Sequence, residues 1–159
     1  MKNTLFPLIL IFLLMMFSIY GGSDLVGPVT QDDILESFPE WRDVMSYYAP
    51  QEEAIEKLKA IDFAVEIEII LGTWCPDSKE HVSAYFKIIA LVENPLIVSS
   101  YIGIPKEKEE REPYIQGKNI QRVPTFIVSL NNEEIGRIIE HPEKSVEEDL
   151  VEIIESKIY

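Results

Sequence analysis

The chain has 159 residues, enough for one compact domain with a short extension. Its net charge of −14 argues against a nucleic-acid partner, because so acidic a surface repels phosphate backbones. A single cysteine, Cys75, rules out a disulfide-stapled scaffold. The two histidines stand far apart in sequence and offer no metal-ligand spacing, so neither a metal nor another cofactor is expected.

Met1-Lys2-Asn3 forms a short basic start, and Leu5 to Tyr20 follows without a charge. That run is shorter than the roughly 20 residues a helix needs to span a bilayer. Gly21, Gly22 and Ser23 supply small residues just beyond it. Residues 1–22 therefore read as a signal peptide, or as a membrane anchor through residues 5–20. Either makes the protein exported: periplasmic, secreted, or held on the outer side of a membrane.

Residues 23–50 read as linker and helical extension. The linker runs from Ser23 to Thr30, and Thr30 with Asp33 is spaced as a capping box. Pro39 looks like the first residue of a further helix that places Trp41, Val44, Met45 and Tyr48 on one side, and Pro50 stops it. The main domain then covers residues 51–159. A helix with Ala54, Ile55, Leu58 and Ile61 on one side leads into a Val- and Ile-rich strand, Phe63 to Leu71. The next helix carries Val82, Tyr85, Phe86 and Ile89 as its apolar stripe and ends at Asn94-Pro95. Leu96 to Ile104 is a strand, Pro105 to Asn119 mostly loop, and Val123 to Leu130 a strand. Asn131-Asn132 predicts a hairpin turn to Glu134–Glu140, and Ser145 with Glu148 is spaced as a capping box for the last helix. A parallel βαβ unit followed by a hairpin and a helix gives an α/β protein, its central mixed sheet lying between helices.

Chemistry concentrates in Trp74-Cys75-Pro76-Asp77-Ser78. A cysteine where a strand gives way to a helix meets the helix's unpaired N–H groups and the positive end of its dipole, which favour thiolate. Pro76 suits the first helical position, where an N–H would lack a partner. Ser78 lies about one turn on, so its hydroxyl is expected to donate to the sulfur. Arg122 reads as solvated rather than as a cation beside the thiolate, and His81 as a surface residue rather than a general base. The bland alternative is a buried cysteine acting as a small hydrophobe.

Trp74-Cys75-Pro76-Asp77-Ser78, followed later by Arg122-Val123-Pro124-Thr125-Phe126, resembles the thioredoxin superfamily, whose Trp-Cys-x-x-Cys opens the helix after the central strand. Glu134-Ile135-Gly136-Arg137 is similar to the hairpin that follows there. The resemblance implies a thioredoxin-like three-layer sandwich over residues 51–159, with an N-terminal helical extension. It also implies a cis-proline at Pro124 beside the cysteine, and substrate contacts from Trp74, Pro76, Val123, Pro124 and Thr125. Ser78 replaces the resolving cysteine, Ile69 stands where thioredoxins keep a buried acid, and Ser83 stands where their helix has a kinking proline. Glu66 and Glu68 point to the opposite face from Ile69 and have no assigned role. The function implied is monothiol thiol–disulfide exchange, with Cys75 and Ser78 catalytic and with protein or low-molecular-weight thiols and disulfides as partners. The alternative is a non-catalytic module that binds extended peptides.

Overall fold

The computed structural model describes residues 23–157; the leader expected over residues 1–22 lies outside them. In chain order the described elements are β1 (Gly27–Val29), α1 (Gln31–Ser37), α2 (Trp41–Tyr47), α3 (Glu52–Lys59), β2 (Val65–Leu71) and α4 (Pro76–Val92). They continue with β3 (Ile97–Gly103), a 3-10 turn over Lys108–Glu110, α5 (Glu112–Ile115), β4 (Thr125–Leu130), β5 (Glu133–Ile139) and α6 (Val146–Glu155). The strands form one mixed sheet in the order β1-β3-β2-β4-β5. β2 pairs parallel with β3 and antiparallel with β4, while β1–β3 and β4–β5 are antiparallel. This is an α/β, thioredoxin-like fold. None of the described helices is long and apolar enough to cross a membrane.

Strand alternation divides the residues of β2 between two unlike faces. Val65, Ile67, Ile69 and Leu71 join the main core with Val82, Tyr85 and Phe86 of α4, Phe126 and Val128 of β4, and Leu150 and Ile154 of α6. The other face holds a smaller cluster of Ile70, Cys75, Ile104, Val123 and Ile127, against which Tyr114, Ile115 and Ile120 pack. The five longer helices thus share one face. The third layer is the connection between β3 and β4, with its 3-10 turn and the single turn of α5. Pro113 and Gly117 keep that connection from forming a longer helix.

The stretch Ser23 to Thr30 differs from the expected linker. Gly27, Pro28 and Val29 pair with Gly103, Ile102 and Tyr101 at the sheet edge, so the segment is structural. Two glycines permit this. Gly27 adopts φ +88°, which side-chain-bearing residues rarely adopt, and a Cβ on Gly103 would lie 2.2 Å from the Leu25 carbonyl oxygen. The helical extension is likewise built into the molecule, since Ile34, Leu35 and Trp41 belong to the main core.

Local signals set the element ends. The Thr30 hydroxyl accepts from Asp33 N–H while Asp33 accepts from Thr30 N–H, completing the capping box. Asn131 and Asn132 take φ 53° and 64°, the left-handed pair a tight hairpin demands. Asn94 donates to the carbonyls of Leu58, Lys59 and Ile61, tying the end of α4 to the end of α3. Ser83 leaves α4 continuous, and its Oγ is buried without a hydrogen-bond partner.

Glu147, in the first turn of α6, is 1% exposed yet fully engaged. Its carboxylate accepts from the Tyr48 hydroxyl at 2.7 Å and from Gln51 N–H at 2.8 Å, joining α6 to the segment between α2 and α3. Burial first, and then this bond, push the Tyr48 phenol well above its ordinary range. Glu147→Ala strands both donors and is expected to lower unfolding free energy by about 2–3 kcal/mol. Chemical denaturation checks this, and a loss below about 0.5 kcal/mol would show the contacts to be unimportant.

Candidate functional site

The site begins at the C-terminal end of β2. Cys75 N–H donates to Gly72 O at 2.9 Å, closing the turn that reverses the chain into α4. Cys75 is the N-cap of that helix, with extended backbone angles, and Pro76 occupies the first position. Gly72 leaves room for the Trp74 indole: a Cβ would lie 2.6 Å from that ring and displace it. That indole donates from Nε1 to Ile104 O at 3.0 Å, and the Arg111 guanidinium lies 4.9 Å above its ring. Trp74 is therefore fixed between the turn and the loop after β3.

The Val123–Pro124 bond is cis, as the resemblance implies. Cys75 Sγ donates to Val123 O at 3.4 Å, so the turn and the proline loop meet at the sulfur. The loop is braced from behind. Thr125 donates from its hydroxyl to Arg122 O, Glu140 N–H donates to Pro124 O at 2.7 Å, and Arg122 pairs with Glu140. Arg122, expected to be solvated, is an exposed residue that still makes this ion pair. Cys75 is 8% exposed, so most of the residue is covered.

Ser78 requires a correction. It is fully buried, and its hydroxyl accepts from Gly72 N–H at 3.2 Å. No hydrogen bond joins it to Cys75 Sγ among those of the described residues. The reason is directional: Ser78 points under the turn, where an otherwise unpaired amide needs an acceptor. Ile69 is fully buried in the main core. Glu68 receives two hydrogen bonds from Lys118 Nζ, at 2.6 and 2.9 Å, on the opposite face, while Glu66 is exposed. Neither acid lies on the core face that Ile69 occupies.

The histidines are not far apart in space. His81 Nε2 lies 3.2 Å from His141 Nδ1, although 60 residues separate them. Asp77, Glu140 and His141 also bring one donor atom each within 4.8 Å of one another. Burial, then the His141 ring, hold His81 below its ordinary range. Sequence separation conceals this cluster; the only local signal was the one-turn spacing of Asp77 and His81. Arg111 and Lys118 were equally silent, because their partners Trp74 and Glu68 come from other elements.

Gly72→Ala forces the Trp74 ring aside. It is expected to shift the protein's tryptophan fluorescence, which Trp74 shares with the buried Trp41, and to raise the alkylation rate of Cys75 several-fold. An unchanged spectrum and rate would show that Trp74 does not shield the thiol.

Among solved structures, the chain is similar to a protein of unknown function from Pseudomonas aeruginosa, with 16% identity and a TM-score of 0.57. That match covers 80% of this chain and 87% of the other. It is similar also to an HIV epitope-scaffold, with 17% identity, a TM-score of 0.58 and the same two coverages, 80% and 87%. At such identities the likeness speaks for the fold alone. No curated protein matches in sequence. A family model described as Thioredoxin matches residues 31–153, which takes in the helices before β2, the Cys75 turn and the Pro124 loop, and the chain belongs to that family.

Proposed function

We propose that the protein is an exported monothiol thioredoxin-like protein that exchanges disulfides through Cys75. The observation that carries this reading is the meeting of Cys75 Sγ with the carbonyl of Val123, next to the cis bond to Pro124. A sulfur at a helix start beside a cis-proline loop suits attack on a disulfide held in an extended segment. In the first step the Cys75 thiolate attacks R–S–S–R′, forming Cys75–S–S–R and releasing R′–S⁻. A second thiolate, R″–S⁻, then attacks the R sulfur, releasing Cys75 thiolate and R–S–S–R″. Electrons balance without a cofactor. Trp74 and Pro76 offer accessible surface for docking, while Val123 and Pro124 are buried beside the sulfur. Thr125, expected to touch substrate, is 1% exposed and instead braces the loop through Arg122 O. Ser78 acts by holding Gly72 and the turn in place. Partners are protein or low-molecular-weight thiols and disulfides.

A second reading is favoured by one observation. The thiol is 8% exposed and already donates a hydrogen bond, as expected of a module that binds extended peptides without chemistry.

Export rests on the charge-free run Leu5–Tyr20 after Lys2. Fractionation of cells expressing the chain is expected to place it outside the cytosol or in the membrane fraction. A full-length cytosolic product would refute export.

Ser78→Cys separates the two functional readings. It places a thiol one helical turn from Cys75, and once rotated away from Gly72 N–H that thiol meets the sulfur at an effective concentration far above that of an external thiol. The variant is expected to form an internal disulfide and to reduce a model disulfide at least tenfold faster than wild type in the presence of added reductant. Wild type should instead accumulate mixed disulfides under mild oxidation, and Cys75→Ser should do neither. If Ser78→Cys performs no better than Cys75→Ser, the peptide-binding reading replaces the exchange reading.

A further inference from the structure

Beside the thiol site, two segments each bring one carboxylate and one imidazole to the same place. Asp77 and His81 stand four residues apart on α4 and so leave the same side of the helix. Glu140 and His141 are consecutive in the turn after β5. These are the chain's only two histidines, and their facing ring nitrogens stand 3.2 Å apart. The rings meet edge to face at 85°, with centroids 5.5 Å apart. Asp77, Glu140 and His141 each add a donor atom within 4.8 Å of the other two.

We propose that Asp77, His81, Glu140 and His141 form a site for a divalent cation of the Zn2+ class. Two imidazole nitrogens and two carboxylate oxygens are the donor set that borderline cations take, in tetrahedral coordination. At ligand distances of about 2.0–2.2 Å, tetrahedral donors stand roughly 3.4 Å from one another. The histidine nitrogens already have nearly that separation. His81 touches this group only through His141, so the two carboxylates and the His81 ring must turn toward a shared ion, which these partly exposed side chains permit. Arg122 is the competitor, because its ion pair occupies a Glu140 oxygen.

A bound ion would join the first turn of α4 to the segment whose Glu140 N–H holds Pro124 O. It would thereby clamp together the two pieces of chain that carry Cys75 and Pro124. The site needs no reaction at the thiol, so it stands or falls apart from the exchange function.

The test is calorimetric titration of Zn2+ into the reduced, full-length chain carrying no histidine tag, with folding of each variant checked by circular dichroism. One ion per chain is expected. His81→Ala, His141→Ala and Asp77→Asn should each weaken binding at least tenfold. Arg122→Ala should strengthen it several-fold by freeing Glu140, and Cys75→Ser should bind as wild type does. The Arg122→Ala and Cys75→Ser arms decide the matter even where a histidine variant fails to fold. Absence of saturable binding, equal binding by all variants, or loss of binding in Cys75→Ser would each overturn the site.

Discussion

The burial of β2 along one whole face is the constraint from which the site follows. Val65, Ile67, Ile69 and Leu71 are at most 1% exposed, so neither the register nor the tilt of this strand can drift without exposing core. Its parallel partner β3 and antiparallel partner β4 fix it from both sides. The turn after Leu71 is therefore delivered to one place, where Gly72 O receives Cys75 N–H and α4 begins. β4 starts immediately after Pro124, so the same pairing that locks β2 also brings Val123 O to the sulfur. The site is a consequence of strand register.

The two faces of the sheet divide stability from access. One face carries nearly all the helices and the large buried rings, with Trp41, Tyr85, Phe86 and Phe126 all at most 1% exposed. The other is closed near the site by Tyr114, Ile115 and Ile120, and farther along it is polar, with Glu68 paired to Lys118. A thin cover is what the proposed exchange at Cys75 needs. It also explains why Trp74 is anchored by Ile104 O and Arg111 rather than by a packed helix. The acids of β2, lacking an obvious purpose in the sequence, follow from this geometry: alternation sends them to the open face, where solvent and Lys118 satisfy them.

Charge is organised around the turn by pairing more than by quantity. Although the chain is strongly acidic, Arg122 reaches Glu140, and Arg137 reaches Glu134 while also donating to Lys118 O. Each pair joins segments distant in sequence or stiffens the hairpin that supports Pro124. Exposed pairs of this kind contribute little stability individually, so their effect is to orient loops around the site.

Much of this was legible in the sequence because the signals are local. Periodicity marked β2 and α4, Thr30 with Asp33 marked a helix start, Asn131-Asn132 marked the hairpin, and Trp74-Cys75-Pro76 with Val123-Pro124 marked the family. Three features could only be decided by the tertiary structure. Gly27–Val29 is a strand because Gly103 admits the Leu25 carbonyl, a contact that no local pattern encodes. Ser78 turns from the sulfur to the Gly72 amide, because a buried N–H without an acceptor costs more than a thiol that already has Val123 O. His81 and His141 become neighbours because the β4–β5 hairpin returns the chain to the first turns of α4. A sequence specifies its residues' chemistry and local conformation directly, but which distant groups meet is set only when the core packs.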